Sequence, residues 1–224
     1  MGEAKRRGTR EQRIEQAQAR PVQQPLMPTN LTSLMNNPKE FFRLQGEARA
    51  LNRLFEALTT PAEIDQQVLA FAQHLGGGTP TFLDCQPEPW SRQSCCDMNV
   101  TEFIRLNGGR MLCGYRVWYA EPRYIEGERH AVWTDGTAIR DVSFADTGEP
   151  RIVFIPDERA FDAAPAKVRL AFSEADKRAL AAYEQLEGLV RMSKMPDQQA
   201  WATFPTYERW LEGARMPNLI PKVG

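Results

Sequence analysis

A thiol, an imidazole and a carboxylate together make the machinery of cysteine-dependent acyl transfer. The thiol attacks, the imidazole takes its proton, and the carboxylate fixes the imidazole's tautomer and favours its protonated form. The sequence offers such a set in the chain order Cys96, His130, Asp141. Cys96 falls in the first turn of a helix predicted to follow Ser94 or Cys95, where unpaired N–H groups and the positive dipole end stabilise a thiolate. His130 and Asp141 lie on either side of Asp135-Gly136, within Glu128–Phe144. Asp-Gly between alternating apolar residues predicts a two-residue type I′ hairpin. That register pairs Thr134 with Thr137, Trp133 with Ala138, Val132 with Ile139, Ala131 with Arg140 and His130 with Asp141. Directly opposite residues share a face, with Cβ atoms about 5 Å apart. An oxyanion hole would combine the backbone N–H of Cys96 with a donor upstream. Gln93 and Gln86 are the side-chain candidates, and Trp90 is the candidate to line a substrate groove in the same irregular segment.

The elements that must position these residues follow from periodicity and punctuation. Residues 1–30 form a basic tail and linker with almost no large apolar residues, which predicts a solvated or disordered segment. An amphipathic helix starts near Pro38, with Phe41, Phe42, Leu44, Ala48, Leu51, Leu54, Phe55 and Leu58 recurring at helical spacing. A second starts after Thr60-Pro61, with Thr60 as N-cap and Glu63 at N3, and stops at Gly76-Gly77-Gly78. Thr79–Ser94 reads as irregular. The cysteine helix carries apolar Met98, Phe103, Ile104 and Leu106 and ends at Asn107-Gly108-Gly109. Arg110–Ala120 alternates as a strand, the hairpin follows, and Arg151–Ile155 is a further strand stopped by Pro156. Ser173 is an N-cap, with Asp176 at N3, for a helix reaching about Met192. A last helical stretch runs from Asp197 to Leu211, interrupted by Pro205. The expected fold is α+β, one domain over residues 31–215. A small antiparallel sheet packs on the cysteine helix, with helices at both ends and a loose tail over 216–224.

Composition narrows the function classes. A net charge of −1 provides no global basic field for nucleic acid. The local cluster Lys5-Arg6-Arg7, with Arg10 and Arg13, is the one candidate contact for nucleic acid or another acidic partner. No apolar run reaches the roughly 18 residues of a membrane span, and the basic N-terminus lacks the apolar stretch of a secretory signal. A cytoplasmic protein with no membrane partner is the expectation, and the oligomeric state is left open. The four cysteines do not read as a secreted disulfide framework. Cys85, Cys95, Cys96 and His130 lack Cys-x-x-Cys spacing, so no metal or other cofactor is expected. Phosphate-binding glycine loops and a serine-hydrolase elbow are absent from the sequence.

Cysteine at a helix start, then histidine, then aspartate on successive strands of one antiparallel sheet resembles the papain-like superfamily core, nearest its transglutaminase-like branch. There the histidine strand often reads His-Ala followed by an aromatic, and here it is His130-Ala131-Val132-Trp133. The likeness spans roughly residues 96 to 155. It implies acyl transfer through a thioester: peptide cleavage, deamidation, amide hydrolysis or transamidation, on a peptide or amide substrate. Asp97 stands where the transglutaminase setting has an aromatic, and a carboxylate there opposes the helix dipole. The same segment resembles a group of uncharacterised bacterial and phage-type proteins. Their shared blocks are here Cys96/Asn99/Val100, Gly108-Gly109, His130–Trp133 and Phe154–Asp157. That second likeness implies no activity. The alternative to an enzyme is therefore a non-catalytic binding or regulatory protein, phage-associated, on the same fold.

Overall fold

The computed structural model describes residues 37–188 and 195–216. The basic tail, the helix end near Met192 and all but the start of the C-terminal tail lie outside the described residues. The chain divides into two compact units, 1–42 and 43–224, and of the first only 37–42 is described.

The described residues form an α+β fold. Helix α1 is Pro38–Glu56 and α2 is Gln66–Leu75. Strand β1 is Thr81–Asp84, α3 is Cys96–Asn107, β2 is Arg110–Ala120 and β3 is Tyr124–Thr134. Strands β4 (Ile139–Arg140) and β5 (Arg151–Pro156) follow, then a 3-10 turn at Phe161–Ala163 and β6 (Lys167–Ala171). Helices α4 (Glu174–Glu187), α5 (Asp197–Thr203) and α6 (Tyr207–Leu211) end the described chain. The strands make one antiparallel sheet in the order β1-β5-β2-β3-β4, with β6 also on β3.

The sheet's spine is the β2–β3 ladder, from Arg110 opposite Thr134 to Ala120 opposite Tyr124. One face puts Val117, Tyr119, Ile125, Val153 and Ile155 against Val68, Phe71 and Ala72 of α2. Truncating a core ring such as Phe71 to alanine would cost about 3–5 kcal/mol. At one end of the other face, Ala120, Tyr124 and Ala171 meet Leu51 and Leu54 of α1 and Ala179 and Leu180 of α4. Alternate residues of each strand thus serve separate cores, as period two requires.

The outer edge of β3 is shared between two short partners. β6 pairs with Tyr124–Glu128, and β4 pairs with Trp133 and Thr134. Between them, no described strand covers residues 129–132 on that side. The Arg129 N–H there donates to Ala166 O at 2.8 Å. His130 sits in the middle of this window.

Several local expectations need correction. Helix α2 starts at Gln66, because Asp65, not Thr60, caps it by accepting from Val68 N at 2.8 Å. Thr60 instead donates its hydroxyl to Arg151 O at 3.0 Å, and Thr59 bridges to Tyr119. The stretch read as irregular contains β1, which pairs with β5. The hairpin turn is longer by two residues: Trp133 faces Arg140 and Thr134 faces Ile139. Asp135 explains why. Its carboxylate accepts from the N–H groups of Thr137 and Ala138 at 2.7 and 2.8 Å, an Asx turn that holds a four-residue loop. Gly136 takes the positive φ of 99° that the turn requires.

Candidate active site

Cys96 opens α3. Cys95 is the N-cap and makes no side-chain capping bond, and the first helical bond runs from Asn99 N to Cys95 O at 2.8 Å. The N–H groups of Cys96, Asp97 and Met98 therefore have no partner within the helix. The chain enters through Ser94, a non-glycine residue with φ of 56°. Such a conformation costs on the order of 1–2 kcal/mol and must be held by its surroundings.

Asn99 supplies much of that hold. It is fully buried, one helical turn beyond Cys96. Its Oδ1 accepts from Arg92 N at 2.7 Å, and its Nδ2 donates to Arg92 O at 2.9 Å and to Ser143 Oγ at 3.2 Å. The far side of the entry loop is pinned by the C-terminal helices: Gln93 N donates to Pro205 O, and Tyr207 N to Ser91 O. At the other end of α3, Gly108 and Gly109 take φ of 73° and 83°. Trp133 Nε1 donates to Gly108 O at 2.7 Å, while its ring meets Phe103 edge to face. Residues of the sequence blocks singled out above thus hold both ends of the helix: Asn99 at the entry loop, and Trp133 of β3 at the glycine stop. Asp157, at the end of the Phe154–Asp157 block, is a scaffold residue. It accepts from Arg159 Nη2 at 2.6 Å and from Arg129 Nη1 at 2.9 Å, and the Arg159 contact first, with the Arg129 charge behind it, holds its carboxyl down at about 2.

His130 and Asp141 are joined despite the shifted register. His130 Nε2 lies 3.1 Å from Asp141 Oδ2, both side chains almost fully buried. A shift of two residues preserves the face, turning direct opposition into a diagonal neighbour that still reaches. Asp141 Oδ1 accepts from Ser143 N at 2.9 Å, and Cys85 Sγ lies 3.8 Å from Oδ2. Gly114, opposite His130, leaves room for the Phe154 ring: a Cβ there would come within 2.5 Å of it. Burial alone would lower the His130 pKa. The charge of Asp141, then that of Cys96, and the hydrogen bond to Asp141 outweigh burial and raise it to about 10. With Nε2 on Asp141, Nδ1 is the ring nitrogen left for the thiol.

Cys96 and His130 line one cavity of about 500 Å³. Its walls come from the start of α3, the window in β3, the segment Ser143–Asp146 and the chain leading into β6. Arg116 and Glu128 form a further wall, paired at 2.6 Å and cross-strand neighbours in the β2–β3 ladder. Burial opposes the charge on Glu128, but Arg116 and then Lys167 hold its carboxyl down at about 2. Asp97 is at the mouth, and its charge acts on Cys95, whose thiol burial and then Asp97 push up to about 12.

Gln93, Gln86 and Trp90 are not part of the cavity wall. Gln93 is buried with its Oε1 unpaired, Gln86 is exposed, and Trp90 stands against Trp201 and the α3 core. Sequence reasoning missed Arg116, Glu128 and Ser143. The first two were legible as an opposite-charge pair once β2 and β3 are aligned, and Ser143 as the same-face neighbour of Asp141 two residues on. Among the described residues, no group of three or more His, Cys, Asp or Glu is arranged to hold a metal ion. Nor is any described helix long and apolar enough to cross a membrane. Comparison with protein-family models, curated proteins and solved structures returns no match.

Proposed function

We propose that the protein is a cysteine-dependent acyl-transfer enzyme acting on peptide or amide substrates, in the manner of papain-like and transglutaminase-like proteins. The observation that carries this reading is the shared cavity lined by both Cys96 and His130, with the imidazole held by Asp141. The Cys96 proton passes to His130 Nδ1 ahead of attack, giving the imidazolium that Asp141 favours, and the sulfur then attacks the acyl carbon, forming the C–S bond. The carbonyl electron pair moves to oxygen, which the free N–H groups at the start of α3 stabilise. Collapse restores the C=O and breaks the bond to the leaving amine, which carries away the proton from His130. Water or a second amine then attacks the thioester, again through His130, and frees the thiol. Protease, deamidase, amidase and transglutaminase-like reactions share these steps and differ in the leaving group and acceptor.

Iodoacetamide labelling with peptide mapping, together with trapping of an acyl-enzyme from p-nitrophenyl acetate, tests the reading. Cys96 is expected to label and acylate at least 10-fold faster than Cys85, Cys95 or Cys113. Cys96→Ala should abolish the acyl-enzyme, His130→Ala should slow its formation by roughly 10²–10⁴-fold, and Cys85→Ala should leave it within about 3-fold. Equal labelling of all four thiols with no effect of His130→Ala would leave a non-catalytic binding protein on the same fold as the better account.

A further inference from the structure

The hydrogen bonds of Ser143 leave one hydrogen unspent. The orientation of the Asn99 amide is settled by Arg92 N, which donates to Oδ1 at 2.7 Å. Nδ2 is therefore the donor end, and its hydrogens go to Arg92 O and Ser143 Oγ. Ser143 Oγ is the acceptor in that contact. Its own O–H has no acceptor among the described residues, although the residue is only 4% exposed. The Ser143 backbone is fixed as well, because its N–H donates to Asp141 Oδ1 at 2.9 Å. Ser143 lines the cavity with Cys96 and His130. Asn99 and Cys96 are three residues apart and so share a helix face, about 5–6 Å between Cβ atoms. The bond from Asn99 thus brings the hydroxyl to the end of α3 where the thiol stands.

We propose that the Ser143 hydroxyl is the second oxyanion donor of the site, acting beside the backbone N–H of Cys96 on the carbonyl oxygen of an amide or ester substrate. The proposal rests on the acyl-transfer reading of the same cavity. As the Cys96 sulfur adds to the acyl carbon, the C=O electron pair becomes localised on oxygen. The Ser143 O–H and the Cys96 N–H then donate hydrogen bonds to that oxygen without giving up their protons. When the C=O re-forms, both bonds weaken and the leaving group departs with the proton from His130. Asn99 and Asp141 orient the serine in advance, so the donor needs no rearrangement when the charge develops.

Two reactions of the same thiol separate an oxyanion donor from a structural serine. Acylation by p-nitrophenyl acetate passes through a tetrahedral oxyanion, whereas alkylation by iodoacetamide is a direct displacement with none. In the full chain, Ser143→Ala should slow acylation of Cys96 by roughly 10²–10³-fold and leave its alkylation within about 2-fold. Ser143→Thr should restore most of the acylation rate. Ser143→Cys, similar in size but a weak donor, should fall with the alanine variant, with modification at position 96 read by peptide mapping. Folded Ala and Cys variants that acylate at the wild-type rate, or that lose acylation and alkylation in equal measure, would overturn the assignment. A wild-type protein whose Cys96 neither alkylates nor acylates rapidly would sink the acyl-transfer reading itself. Rapid wild-type reactions that ignore Ser143 would sink only the oxyanion proposal.

Discussion

Two cysteines flank the His130–Asp141 pair from opposite ends, and their surroundings could hardly differ more. Cys85 lies at the carboxylate end, half-buried like Cys96, its sulfur 3.8 Å from the Asp141 carboxylate and packed with Val132, Ile152 and Phe154. Burial first, and the Asp141 charge second, push its thiol up to about 12. Cys96 lies at the open end, half-buried at the start of α3, in the same cavity as the imidazole. A carboxylate repels a sulfur anion, whereas an imidazole accepts the thiol's proton. On the acyl-transfer reading, one polar pair therefore holds one neighbouring thiol protonated and serves the other. Proximity to such a pair does not define a nucleophile; the end of the pair that it meets does.

Removing the carboxylate charge is the severest test of this contrast. Asp141→Asn should slow acylation of Cys96 by roughly 10³–10⁴-fold, since His130 loses the group that orients it. The same change should move Cys85 the other way, lowering its titration midpoint from about 12, with burial keeping it above the ordinary 9.0. Slower acylation at Cys96 with a lowered midpoint at Cys85, followed by acyl-enzyme trapping and pH-dependent alkylation with peptide mapping, is the signature; raised reactivity at both thiols would mean general loosening.

Asn99→Ala attacks only the open end. It strands the N–H and C=O of Arg92 and the hydroxyl of Ser143, at a cost of about 2–4 kcal/mol in urea unfolding. Cys96 reactivity should fall while Cys85 stays protected.

The effect of pH on stability is more gradual and distinguishes the two ends by window. His130 sits at about 10 in the folded chain against an ordinary 6.5, so its contribution is complete below pH 6.5 and is lost as pH rises through 10. Cys85, raised from 9.0 to about 12, contributes fully below pH 9 and loses its share towards 12. Melting temperature should therefore begin to fall above pH 6.5. His130→Gln should flatten the curve between pH 6.5 and 9 and leave the decline above 9. An unchanged slope below pH 9 would count against the charged imidazole.

The parts of this site that were legible in the sequence are those written in local pattern. The bounds of β2 follow from alternation over Arg110–Ala120, and those of α3 from its glycine stop. The Ser173 cap on α4 is equally local: its hydroxyl accepts from Asp176 N at 3.0 Å. Strand β6 escaped because it is specified at a distance: Lys167 and Arg169 ion-pair with Glu126 on β3, 2.7 and 3.3 Å away. The hairpin register was misread because Asp135 prefers to bind N–H groups two and three residues on rather than adopt a positive φ. Gln93 and Gln86 fell outside the cavity for a similar reason: the path of their loop is set by Asn99 and by the C-terminal helices, whose contacts are remote in sequence. Ser143 shares the face of Asp141 by local pattern, but its hydrogen-bond partner, the Asn99 amide, is remote in sequence.

The turn at residues 135–138 has a consequence for how this chain can vary. His130 and Asp141 need to project from the same side of neighbouring chain segments, and side-chain direction in a strand repeats every two residues. Whether a loop insertion or deletion preserves the pair therefore depends first on whether the number of residues is odd or even. A two-residue slip keeps both groups on one face, but because they are already diagonal neighbours only the slip towards direct opposition keeps them in contact. A single inserted residue turns one of them away and separates base from carboxylate without altering a residue of either. Tolerance to length change at this loop is quantised by parity.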